Sequence, residues 1–157
     1  MKCFHPIKIV SFFLLSVLMG CIGKKNEFIF LDRMTFTNSY DKNAVKISYY
    51  ILINNPEASN EKLKTAIIQY TRGRFRNDQS LKKKDVTSLN FVFYKKTGNT
   101  SYFIKNEESP GGLSSEEIAH YKEDYIANYD VTKCTGGFTE KLYLYDLPEN
   151  TVVRNCK

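Results

Sequence analysis

The chain has 157 residues, 42% hydrophobic and 25% charged, with 23 Lys+Arg against 17 Asp+Glu, four Cys and no Trp. That length suits a single domain with a substantial core. The near-average balance of apolar and charged residues excludes a disordered tail, a collagen-like repeat and a disulfide-dense mini-protein.

In chain order, the first feature is an apolar leader. Met1 to Gly20 carries Lys2 and Lys8, no acidic residue, and the run Ile9 to Met19, which is polar only at Ser11 and Ser16. As a helix that run covers about 17 Å, roughly half the hydrocarbon thickness a spanning segment must cross. It therefore reads as a signal peptide over residues 1–20 rather than a membrane anchor. The segment ends in Leu18-Met19-Gly20-Cys21, which resembles the lipobox of bacterial lipoprotein precursors. The resemblance implies cleavage between Gly20 and Cys21, a diacylglycerol on the Cys21 thiol and acylation of the new amino terminus. Two or three acyl chains anchor a protein stably where one binds only marginally. Cleavage would leave 137 residues and lower the net charge from +6 to +4, since both leader charges are lysines.

Residues 21–26 form the lipidated cysteine and a short spacer, and residues 27–157 a single globular domain. Phe28 to Phe36 is rich in strand formers, and Ala44 to Ile53 alternates Val45, Ile47, Tyr49, Ile51 and Ile53 against polar neighbours. With a turn at Asn38 to Asn43 between them, they predict an opening hairpin. Asn54-Asn55-Pro56 ends the second strand. Ser59 or Asn60 then caps a helix with Leu63, Ala66, Ile67 and Tyr70 on one face and Gly73 as its stop. Ser88 to Lys95 predicts a strand that turns at Thr97 to Asn99 into Ser101 to Ile104, a second hairpin. Ser114-Ser115-Glu116-Glu117 matches a capping box, opening a second helix whose core face is Ile118, Tyr121, Tyr125 and Tyr129. Phe138 to Tyr145 and Thr151 to Asn155 close a third hairpin. The order ββ-α-ββ-α-ββ predicts an α+β fold, an antiparallel sheet of about six strands with both helices on one face.

Cys3 leaves with the leader and Cys21 carries lipid, which leaves Cys134 and Cys156 as an even pair outside the reducing cytosol. They are expected to form a disulfide. No metal-ligand spacing, C-x-x-C pair, phosphate loop, H-E-x-x-H or calcium loop is present, so no cofactor and no metal is expected.

Charge is unevenly spread. Residues 21–84 carry net +7 and residues 85–157 net −3. The excess gathers in Arg72, Arg74, Arg76, Lys82, Lys83 and Lys84, a pattern that suits a polyanion: phosphate-bearing head groups, a glycolipid or an acidic protein. Nucleic acid is a poor match, because no recognition motif accompanies the charge. For catalysis the candidates are few. On the predicted second helix Glu116, His120 and Asp124 share a face, with Glu117 and Glu123 beside them. Glu107/Glu108 and Glu116/Glu117 flank Pro110-Gly111-Gly112.

Three readings follow. The first is a non-catalytic binding domain held close to the membrane through Cys21. The second is an immunity-type inhibitor of a secreted toxin. The third is an envelope hydrolase built on Glu116/Glu117 and His120. The Lys/Asn/Tyr-rich composition resembles small lipoproteins of Bacteroidota. Ile22, in place of an inner-membrane retention Asp, points to the outer membrane. Lys24-Lys25-Asn26-Glu27, in place of an acidic export run, points to its periplasmic leaflet.

Overall fold

The computed structural model describes residues 26–41, 44–101, 120–145 and 151–156. Six strands, β1 (Glu27–Asp41), β2 (Ala44–Asn54), β3 (Val86–Lys95), β4 (Tyr125–Cys134), β5 (Gly137–Leu144) and β6 (Thr151–Arg154), form one sheet in sequence order. All neighbours are antiparallel except β2 and β3, which run parallel with Ile51 opposite Phe93. Parallel neighbours need a crossover, and helix α1 (Asn60–Phe75) supplies it.

The sheet is therefore mixed, not antiparallel, and α1 is the one full α-helix among the described residues. The second predicted helix fails at its C-terminal half. Tyr121 leads into a single 3-10 turn at Lys122–Asp124, and Tyr125 and Tyr129 lie in β4. The tyrosine spacing fits a helix, but Ala127, Tyr129 and Val131 also alternate with period two. In the slot between β3 and β5 all three become fully buried. Of the second predicted hairpin, residues 102–104 lie outside the described residues, and both edges of β3, its first strand, are taken by β2 and β4. The first and third hairpins form as expected, and β1 extends five residues beyond the predicted Phe36.

Within α1, Leu63 and Ile67 are buried as the periodicity requires. Ser59 holds the N-cap position, its carbonyl accepting from Leu63 N at 2.9 Å, although its side chain makes no capping bond. Gly73 does not stop the helix, which runs on to Phe75. The β4–β5 hairpin closes through Thr135-Gly136, where Gly136 takes φ +82°, a conformation that costs glycine nothing.

The main core lies between α1 and the sheet: Leu63, Ile67 and Phe75 meet Ile51, Ile53, Leu89, Phe91, Phe93, Tyr129 and Leu142. Phe28 stacks on Tyr70 with ring centroids 4.3 Å apart, which ties β1 to the helix. The opposite face carries a smaller cluster of Leu31, Tyr50, Leu52, Tyr94 and Tyr121. Cys134 and Cys156 form the expected disulfide, with Cα atoms 6.2 Å apart, fixing the chain two residues past β6 to the end of β4.

Candidate functional site

The six basic residues singled out in the sequence do not act as one group. On the last turn of α1, Arg72 turns inward and its Nε donates to Glu140 Oε2 at 2.7 Å. Glu140 is 1% exposed on β5, and the Tyr129 hydroxyl also donates to Oε2 at 2.5 Å. An ionised carboxylate in a core is tolerable only when paired and hydrogen-bonded, and these two donors provide both. The bond to Glu140 raises the Arg72 pKa, and burial followed by the same carboxylate raises that of Tyr129, so both donors keep their protons. Arg72 is thus a clamp between helix and sheet.

Arg74, two residues on, points the other way. Its guanidinium carbon lies 3.8 Å from the centroid of the Phe30 ring on β1, a cation–π contact. Arg74, Arg76, Lys82, Lys83 and Lys84 are all exposed, and none has a salt bridge among the described residues. Five of the six predicted residues are therefore exposed along one continuous stretch of chain, the basic strip. It runs from the end of α1, through the 3-10 turn Gln79–Lys82, to the start of β3. Lys133 of β4 donates to the Lys83 carbonyl at 2.7 Å and pins the strip's far end.

Beside Arg74 opens a cleft of about 390 Å³ between the helix end and β1–β2, walled by Phe30, Tyr49, Phe91, Asp32, Asn77, Asp78 and Gln79. Asp78 shapes its rim. Its side chain accepts from Ser80 N at 2.8 Å and Ser80 Oγ at 2.6 Å, capping the 3-10 turn, and from the Tyr49 hydroxyl at 2.5 Å. Burial, then the hydrogen bond to Asp78, pushes the Tyr49 pKa up to about 12, so the phenol remains a donor. Gly73 widens the mouth, since a Cβ there would meet nothing within 4 Å. A second, apolar cleft of about 280 Å³ lies on the opposite face among Tyr50, Val92, Tyr94, Lys122, Tyr125 and Asn128.

Of the predicted catalytic stripe only His120, Glu123 and Asp124 are described, and the backbone turns at Tyr121 between them. His120 is exposed with its ring edge-on to Tyr121. Asp124, beyond the break in the helix, accepts from Thr97 Oγ1 at 2.9 Å. Glu107, Glu108, Glu116, Glu117 and Cys21 lie outside the described residues. Among the described residues no three His, Cys, Asp or Glu side chains cluster to hold a metal, and no helix is long and apolar enough to cross a membrane.

The sequence reading missed Glu140, Tyr129 and the whole cleft. Glu140 left a signal: it occupies an apolar column of β5 with Phe138, Leu142 and Leu144, and a charge in such a column needs a partner. The cleft left none, because Phe30, Tyr49 and Gln79 come from three separate elements. Comparisons with protein-family models, curated proteins and solved structures find no match to this chain.

Proposed function

We propose that this chain is a non-catalytic envelope lipoprotein, anchored through Cys21 in the periplasmic leaflet of the outer membrane. Its domain binds an anionic macromolecule through Arg74, Arg76 and Lys82 to Lys84. One observation carries the reading: five exposed cations along one stretch of chain have no salt bridge among the described residues, while the sixth, Arg72, is spent on Glu140.

Position narrows the partner. Glu27 pairs with Asn54, so β1 begins at the end of the sheet where α1 also begins, and the strip lies at the opposite end. Sixteen helical residues separate the two ends by about 24 Å. A domain inverted so that the strip met its own bilayer would need the five spacer residues before Glu27 to cover that distance, yet extended they reach about 18 Å. At about 24 Å, three Debye lengths at physiological salt, attraction to the anchoring head groups is screened. The reading thus favours an anionic partner in the aqueous space over the lipids of the anchoring leaflet.

Crosslinking in the native envelope followed by mass spectrometry tests the binding role. Wild-type protein should yield a discrete partner, and reversal of Arg74, Arg76 and Lys83 to Glu should abolish it while the fold is kept; an unchanged crosslink pattern would sink the assignment. The anchor is tested separately: Cys21→Ser should eliminate fatty-acid labelling and leave the leader uncleaved by lipoprotein signal peptidase.

A further inference from the structure

We infer that the anionic partner is an acidic polysaccharide, one of whose sugar rings sits in the cleft between Arg74 and Tyr49 while its charges follow the strip; this rests on the binding role proposed above. The cleft and the strip are continuous, sharing Arg74, with Asn77 and Gln79 of the cleft rim falling in sequence between Arg76 and Lys82. Their charge characters differ. The strip is predominantly cationic, five cations around the single acid Asp78, whereas the cleft sets Arg74 against Asp32 and that same Asp78, already bonded to Tyr49 and Ser80. A ligand group entering the cleft should therefore be close to neutral, though attached to a polyanion.

What the cleft offers such a group is hydrogen bonding from planar side chains. Asn77, Gln79 and Asp32 are exposed at its rim: each amide, one N–H of which is bonded within the chain, has a second N–H and its carbonyl for adjacent hydroxyls, and the carboxylate accepts from them. Its aromatic wall is poorly suited to a nucleobase. One face of Phe30 is covered by Arg74, Phe91 is 1% exposed, and Tyr49 is flanked by both rings at tilts of 44° and 37°. No flat ring is left open for a base to stack on, as single-stranded nucleic-acid sites require. A saccharide ring needs only ring edges and hydroxyl partners.

The test compares two probes of matched charge density on the full-length lipidated chain in detergent: polygalacturonate oligomers with half of their carboxyls methyl-esterified, which offer neutral rings among charged ones, and poly-L-glutamate with half of its side chains amidated. Asn77→Ala/Gln79→Ala alters the cleft rim at exposed positions; because the Asn77 amide also donates to the Gly73 carbonyl at 3.1 Å, circular dichroism checks that the end of α1 is kept. The proposal predicts that polygalacturonate binds at least about tenfold more tightly than polyglutamate, and that the cleft variant removes this preference without weakening polyglutamate binding. Equal affinity for both probes, or a preference that survives the cleft variant, overturns the saccharide assignment and leaves the strip's role standing. No binding of either probe overturns both.

Discussion

Arg72 and Arg74 differ by two positions on one helical turn and belong to two different regions of the molecule. On the β4–β5 side Arg72, Glu140 and Tyr129 satisfy one another in the core, and the Cys134–Cys156 bridge closes the adjoining β4–β6 edge. On the β1–β2 side Arg74 lies over Phe30 at the mouth of an open cleft, and the cations after it have no carboxylate partner among the described residues. Identical side chains thus make a buried ion pair in one region and an open cation–π contact in the other, the second being the one the proposed function assigns to recognition. What decides between them is the facing strand: β5 presents a buried carboxylate, and β1 presents an aromatic ring.

The contrast can be broken from the closed side first. Reducing the disulfide, whose cysteines are 22 residues apart, should cost about 3 kcal/mol in chemical denaturation and leave polyanion binding unchanged. Arg72→Met should cost about 2–3 kcal/mol. That is below the value for a fully buried pair because the Arg72 side chain is 34% exposed, but it still strands the Glu140 carboxylate. Arg74→Met should stay within about 0.5 kcal/mol of wild type, as exposed substitutions do. If the two arginine variants destabilise equally, the division of roles is wrong. Tyr129→Phe, which removes one of two donors to Glu140, should cost about 1 kcal/mol.

On the open side the effects are smaller. Tyr49 has a pKa raised from 10 to about 12, so the folded state holds a proton that the unfolded chain loses first. Its contribution to stability is complete below pH 10 and is lost as pH rises from about 10 to about 12. Tyr49→Phe should flatten that part of the alkaline stability profile, and phenolate absorbance should report one fewer late-titrating tyrosine. Gly73→Ala should stabilise by about 0.5–1 kcal/mol, since the helix gains propensity and the new methyl meets nothing. Because Gly73 lines the cleft, the same change should weaken polygalacturonate binding.

Local patterns gave the sequence reading its successes. The alternation Val45 to Ile53, the helical spacing of Leu63 and Ile67, the closing hairpin and the even cysteine pair each carry their own signal, and the structure contains all four. The failures concern pairing between distant segments. Tyr49-Tyr50-Ile51-Leu52-Ile53 and Phe91-Val92-Phe93-Tyr94 are nearly continuous apolar runs, as strands buried on both faces are. That pattern marks them as central neighbours joined by a helical crossover, and it was outweighed by the preference for hairpins. For Ile118 to Tyr129 the helical and strand periods coincide at the tyrosines, and only the β3–β5 slot decides between them. The basic cluster was visible as composition; its division at Arg72 depends on Glu140, 68 residues away.

Most direct for the central claim is the salt dependence of poly-L-glutamate binding to the full-length chain, wild type against the variant with Arg74, Arg76 and Lys83 reversed to Glu. The account predicts at least about tenfold weaker binding by the variant at low ionic strength, with the two proteins converging as salt screens the strip. Equal affinities at low salt, or wild-type binding indifferent to salt, would contradict it.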